Sequence, residues 1–556
     1  KYSSHWVPSF DDMQEKVVFN LRVRTDPQYE VVANGRQTRR YLEEGQQVWE
    51  YTMQAPMSSY LLAFALGAFA FTKEVSSSGV PLKWYYPKGE GEEASATYRY
   101  SREVFDFLEE EIGRPYPWQD YKQVPVSDFM YAGMENTGAT FFSDAYLTDS
   151  IGQVDMPYLG VDAHELAHQW FGNLVTETGG ASHWLHEGFA QYYAYLAQEQ
   201  ILGSEAVAWK LYTSARQLGG QDEKGEGTAL TDPGSNSLVF YEKGAWALVA
   251  LRDMLGDETY RDGIRAYLDA FAYRNADVDA FLRVMEGVSG RSLAEYRETW
   301  LDSATFPMAW VRGYLSKYTS IEYFMGLRAS GLPSGGVLEA WNASALPQYR
   351  VALLQEFGSS FSRSDFEVAF AVPDIEVRKA VLTALGTLPD WSMDWAKPQL
   401  DAPSYDLRQR TLLSLWAADP AGRTRYLETT EQNGSFTSLG FRQLWWFLAV
   451  FTEGFRTAGQ KAGYLESLRN TTAAGYPVEA RIQAFQMLQE VDAMAWANYR
   501  DLVRATEHHN WRFRIFARRF FDDLVASRPQ EAFWKNALEG MRLSDFPYVN
   551  HKLQSL

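Results

Sequence analysis

The sequence has no cysteine and only eight histidines in 556 residues. The first absence excludes disulfides, thiolate metal ligands and thiol nucleophiles, and it leaves either redox compartment open. Long apolar runs are missing too. The longest, Tyr60 to Phe71, falls well short of the roughly 18 to 20 residues that span a bilayer, so no membrane partner is expected. Positive charge is scarce: 52 Lys and Arg stand against 71 Asp and Glu, a formal net charge of −19 that repels nucleic acid and mildly favours cationic partners. No low-complexity segment and no signal peptide can be read. Residue 1 is Lys rather than Met, and the expectation is that it is not the start of the gene. The cytoplasm is the expected compartment, with secretion left open.

What is present is a packed protein, too long for one core and rich in aromatic residues. Residues 1–74 read as antiparallel β. Phe19, Leu21 and Val23 alternate with polar residues, as do Trp49, Tyr51 and Met53, and Asn34-Gly35 is a hairpin signal. These strands are few for a stable sheet and read as the end of a larger domain. Residues 75–315 mix strands (Leu82 to Tyr86, Gln123 to Ser127) with a helix from about Ala94 to Ile112 and further helices from Pro157, an α+β pattern. Residues 316–556 read as helical throughout. Arginines at 378, 408, 442, 481 and 514 each stand near the start of an apolar-periodic helix, a spacing that predicts stacked hairpins of the HEAT kind.

The chemistry gathers at H-E-L-A-H, residues 164–168. Four residues apart on a helix, His164 and His168 share a face and can converge on one zinc ion. Glu187, in W-L-H-E-G-F-A on a second, amphipathic helix from about Trp184 to Ile201, is the natural third ligand, leaving one coordination position open. Glu165 lies at the edge of the metal-facing surface, the position of a general base that activates water without ligating. A peptide-hydrolysing centre also needs a donor for the developing oxyanion, and Tyr241 in F-Y-E-K-G-A-W is of the right type. Taken alone it is one of 33 tyrosines.

Four motifs in order, A-G-M-E-N, H-E-L-A-H-Q-W-F-G-N, W-L-H-E-G-F-A and Y-E-K-G, resemble the aminopeptidase N family of zinc metallopeptidases in the gluzincin clan. The resemblance implies a partial N-terminal antiparallel β domain (1–74), a thermolysin-like α+β catalytic domain (75–315) and a C-terminal all-α HEAT-like array (316–556). It also implies one zinc ion on His164, His168 and Glu187, water activation by Glu165 and oxyanion stabilisation by Tyr241. Glu135 and the backbone around it (Ala132, Gly133, Met134, Asn136) would take the free amino terminus of a peptide, Tyr131 would bear on side-chain selectivity, and Arg518, with Arg512 and Arg514, would meet the substrate's far carboxylate.

Most of the family's N-terminal β domain, with its Gln-x-Glu motif, has no counterpart here, so a separate N-terminal polypeptide completing that domain is a further expectation. The family's G-A-M-E-N is exchanged to A-G-M-E-N. His186 replaces Asn and, with His183, puts two rival imidazoles beside Glu187; Glu187 is kept as the ligand because His186 is rotated about 100° from it and His183 has no family counterpart. Asp162 is a candidate to orient a ligating histidine, and Gln191 stands where a carboxylate could have done so. The expected function is a zinc-dependent aminopeptidase. The alternatives are a bifunctional aminopeptidase and epoxide hydrolase of the leukotriene-hydrolase type, and a catalytically silent helical-repeat scaffold.

Overall fold

The computed structural model describes residues 3–554. Its N-terminal strands are β1 (Lys16–Val17), β2 (Asn20–Thr25), β3 (Glu30–Ala33), β4 (Arg36–Glu43), β5 (Gln46–Thr52), β6 (Met57–Ser58) and β7 (Phe64–Gly67). In β2 the apolar Leu21 and Val23 turn inward and Arg22 and Arg24 outward, and in β5 Trp49 and Tyr51 are buried, as alternation requires.

The hairpin signal at Asn34-Gly35 is a misreading. β3 pairs antiparallel with β7 while β4 pairs with β5, so Asn34-Gly35 carries the chain from one sheet to another. Asn34 serves tertiary contacts instead of a turn: its Nδ2 donates to the carbonyls of Leu61 and Thr137 at 3.1 and 2.8 Å, and its Oδ1 accepts from Ala63 N at 2.7 Å. The hairpin lies between β4 and β5, at Glu44 and Gly45, whose positive φ values of 52° and 78° suit a primed turn.

β8 (Phe69–Val75), β9 (Pro81–Pro87), β10 (Tyr121–Val126), β11 (Gly133–Met134) and β12 (Ala139–Ser143) form a mixed sheet in the order β11-β12-β10-β9-β8. β9, β10 and β12 run parallel; β11 is an antiparallel edge strand on β12. The helix expected over 94–112 is two, Gly91–Thr97 and Ser101–Ile112. The break falls where Tyr98 turns inward, stacks on Trp84 at 5.7 Å and donates its hydroxyl to Tyr85 O at 2.7 Å.

The histidine helix (Leu159–Ala167) packs against the glutamate helix (Trp184–Leu202), which in turn packs on the helix Gly244–Leu255. The glutamate helix is not amphipathic. Held between neighbours, it buries Trp184, Phe189 and Tyr193 as well as Tyr192 and Ala197, so apolar residues occupy nearly every face. β13 (Val175–Glu177) pairs in parallel with β14 (Arg274–Ala276).

Contacts divide the described residues into two compact units, the first comprising residues up to 126 with 131–349, the second 127–130 with the residues from 350 onward. In the second unit the arginines singled out above occupy the fourth position of helices Ile375–Leu385, Tyr405–Ala418, Leu439–Phe451, Val478–Glu490 and Trp511–Ser527. Four of them reach back to a carbonyl before their own helix: Arg378 to Val372, Arg408 to Ala402, Arg481 to Thr472 and Arg514 to His508, at 3.1, 2.6, 2.9 and 2.9 Å.

Candidate active site

His164 and His168 lie in the last turn of the histidine helix and Glu187 in the first turn of the glutamate helix, so the packing of two helices brings the three together. Their Nε2, Nε2 and Oε2 atoms form a triangle with edges of 3.1, 3.3 and 3.3 Å. Ligands placed tetrahedrally at zinc's ordinary bond lengths stand about 3.3 Å apart. The donor set and its spacing therefore fit a zinc ion with one position left for another ligand. His168 Nδ1 donates to Phe171 O at 2.9 Å, which fixes the ring and turns the lone pair of Nε2 inward.

Without a metal ion the clustered charges perturb one another strongly. Burial pushes Glu187 upward, but His168 and His164 outweigh it and hold the carboxyl well below its usual range. Burial pulls His168 down, yet Glu187 and Glu135 raise it to about 10. Burial drives Glu165 well above the carboxylate range, with His168 opposing and Glu135 and Glu187 adding.

Glu165 lies beside the cluster without completing it; its ligand atom lies within 4.8 Å of those of His168 and Glu135. Gly133 on the edge strand packs directly on Glu165: a Cβ there would stand 2.5 Å from Glu165 Cγ. Glu135 follows β11, and its carbonyl accepts from Asn173 Nδ2 at 2.7 Å and Gln169 Nε2 at 3.2 Å. These two amides belong to H-Q-W-F-G-N, so the metal motif also clamps the A-G-M-E-N segment. Asn136 Nδ2 donates to Leu61 O at 3.1 Å, Met134 packs with Met53, Met57 and Leu61, and Ala132 O accepts from Ser143 N at 3.0 Å. Tyr131 is exposed.

Tyr241 sits in a π-helical turn, Val239–Lys243, and its ring stacks on His164 at 5.3 Å with an interplanar angle of 1°. Burial, then Glu187, holds its hydroxyl far above the usual tyrosine range, so it remains a neutral donor. Arg518 lies in the second unit, where Nε donates to Thr506 O at 2.9 Å and Nη2 pairs with Glu507 at 3.0 Å. Asp162 does not touch a metal-site histidine; it accepts from Ser101 Oγ at 2.5 Å and from Gln123. Gln191 donates to Glu242 at 3.1 Å.

Sequence reasoning passed over Gln169 and Asn173, although both stood inside a quoted motif. It also read Tyr60 only as part of an apolar run. Burial above all, with Glu135, Glu177 and Glu187 nearby, keeps the Tyr60 hydroxyl protonated.

Two imidazoles and a carboxylate thus face one point, a group that could hold a metal ion, with a further carboxylate beside it. Residues 97–300 match the peptidase family M1 domain. It is 29% identical over 340 residues to aminopeptidase N of Lactobacillus delbrueckii subsp. lactis (57% of this chain, 40% of that protein), and 27% identical over 321 residues to glutamyl aminopeptidase of Bitis rhinoceros (54% and 33%). The matches thus span 33% to 40% of those relatives' own length. A crystal structure of an M1 zinc metallopeptidase from Deinococcus radiodurans is 23% identical, covers 55% of this chain and 68% of its own, and superposes with a TM-score of 0.43. Among the described residues no helix is long and apolar enough to cross a membrane.

Proposed function

We propose that this chain is a zinc-dependent aminopeptidase, releasing N-terminal residues from peptides that carry a free amino terminus. The observation that carries the reading is the 3.1, 3.3 and 3.3 Å triangle of His164, His168 and Glu187 with Glu165 beside it. Zinc held there supplies a Lewis acid and lowers the pKa of water to near neutrality. Glu165 takes the proton of the attacking water and returns it to the leaving amine; its raised pKa suits a group that must do both. The Tyr241 hydroxyl donates to the oxyanion as the carbonyl becomes tetrahedral. Glu135 pairs with the protonated α-amine, while the outer edge of β11 offers backbone groups to an added strand of substrate.

Within the first unit we assign residues 1–74 to the end of a β domain and 75–315 to the catalytic domain, and we assign the helices beyond 316 to a HEAT-like array. β2 and β4 are the open edges of the sheet β2-β5-β4, and Phe64 and Leu66 of β7 are exposed. These features support the further proposal of a strand-supplying N-terminal polypeptide, whose co-expression should raise the unfolding temperature.

The test is hydrolysis of aminoacyl chromogenic amides with and without chelator. Glu165→Gln should lower kcat by at least 10²-fold while zinc content stays unchanged. If an N-acetylated peptide were cut as fast as its free-amine twin, the exopeptidase reading would fail.

A further inference from the structure

Beside the metal ligands stands a second polar group. Glu177, the last residue of β13, is 1% exposed, and its Oε2 lies 2.9 Å from His183 Nδ1 and 3.6 Å from His186 Nδ1. In composition Glu177, His183 and His186 could hold a cation. The hydrogen bonding opposes this, because the backbone N–H of Glu177 donates to His186 Nε2 at 2.7 Å. An imidazole nitrogen that accepts carries no proton, so the neutral ring of His186 bears its proton on Nδ1, toward Glu177. His186 Nε2 is thereby tied to β13, with Nδ1 turned toward Glu177, and the ring is no rival for the metal.

His183 is different. With Nδ1 on Glu177, its Nε2 lies 3.7 Å from Glu187 Oε1. The other oxygen of the same carboxylate, Oε2, faces His164 and His168. The ring of Phe240 packs edge-on against His183 at 5.0 Å and 85°, fixing the imidazole plane. The two oxygens of Glu187 thus have separate neighbours. One faces the metal position and one faces His183.

We propose that His183 is a positioning residue for Glu187: anchored on Glu177 and braced by Phe240, it holds Oε1 so that Oε2 alone is presented to zinc. The inference rests on the aminopeptidase reading above. Outer partners of metal ligands govern affinity because a ligand left free to turn must be ordered when the metal arrives.

The test is zinc affinity of the full chain, measured by competition with a chelator, alongside stoichiometry and unfolding temperature. His183→Phe keeps a ring against Phe240 and removes both ring nitrogens. It should weaken zinc binding roughly 10- to 100-fold, with one zinc per chain still taken up at saturation. His183→Gln, which restores one donor, should recover part of the loss, and Glu177→Gln should fall between. Should the Phe variant not fold, the Gln variants make the same comparison. Unchanged zinc affinity in the folded variants overturns the inference. So does a second zinc equivalent in the wild type that is lost in His183→Phe, since His183 would then be a ligand. A wild type that takes up no zinc overturns the proposed function as well.

Discussion

At position 133 a single methyl group separates this chain from the usual order of its motif. The family pattern G-A-M-E-N places alanine where Gly133 stands, and here a Cβ would press on Glu165. Glu165 could yield by rotating, but only by leaving its place beside the His164, His168 and Glu187 cluster, from which it would act as the proposed base. Gly133→Ala should therefore reduce kcat on the order of 10²-fold, as sub-ångström to ångström displacements of catalytic groups do, while zinc content is unchanged. Steady-state kinetics with metal analysis would check it. Tyr241→Phe should lower kcat by about 10²- to 10³-fold with little change in KM, since the hydroxyl acts chiefly when the oxyanion forms. His164, His168 and Glu187 could be read from the chain because helical periodicity and a fixed interval carry them. Tyr241 became legible only through resemblance. Gln169, Asn173 and Tyr60 stayed hidden because each lies against a segment distant in sequence, and no local pattern encodes such a contact.

Among the elements, the sequence was most informative where one face of a segment meets the core. β2 and β5 alternate as expected, whereas Asn34-Gly35 misled because the same dipeptide that closes hairpins also suits a crossing between sheets. The recurring arginines were legible as a period, but not as hydrogen bonds. Arg408 is 4% exposed and donates to Ala402 O, Asn433 O and Ser435 Oγ. Arg408→Met should cost about 2 to 4 kcal/mol, because buried carbonyls lose a charged donor. Denaturant unfolding would measure the loss, and catalytic constants of the folded fraction should not move.

For the whole molecule, the −19 charge conceals local positive groups in costly places. Lys16 of β1 reaches Asn173 O and Thr176 Oγ1 with no acidic partner among the described residues, and burial lowers its pKa to about 7. The unfolded chain then binds more protons than the folded one between pH 7 and the ordinary lysine value, so stability should rise with pH across that window. The full shift corresponds to at most roughly 5 kcal/mol, less where water reaches the side chain. Lys16→Met should stabilise the protein at pH 7 and flatten the rise in unfolding temperature measured from pH 7 to 10. Zinc, by contrast, should act in one unit. Chelation should speed hydrogen exchange in Leu159–Ala167 and Trp184–Leu202 and leave Tyr405–Ala418 and Leu439–Phe451 unchanged.

The glutamate helix and the helix after Tyr241 cross glycine on glycine: a Cβ on Gly188 would fall 2.8 Å from Gly244 Cα. Gly188 follows Glu187, and Gly244 lies three residues past Tyr241. Main chain rests on main chain there, with no pliable side chain between. The spacing between the Glu187 and Tyr241 segments is consequently a fixed dimension of the scaffold, so in the proposed aminopeptidase any latitude for substrates of different bulk has to come from other parts of the site.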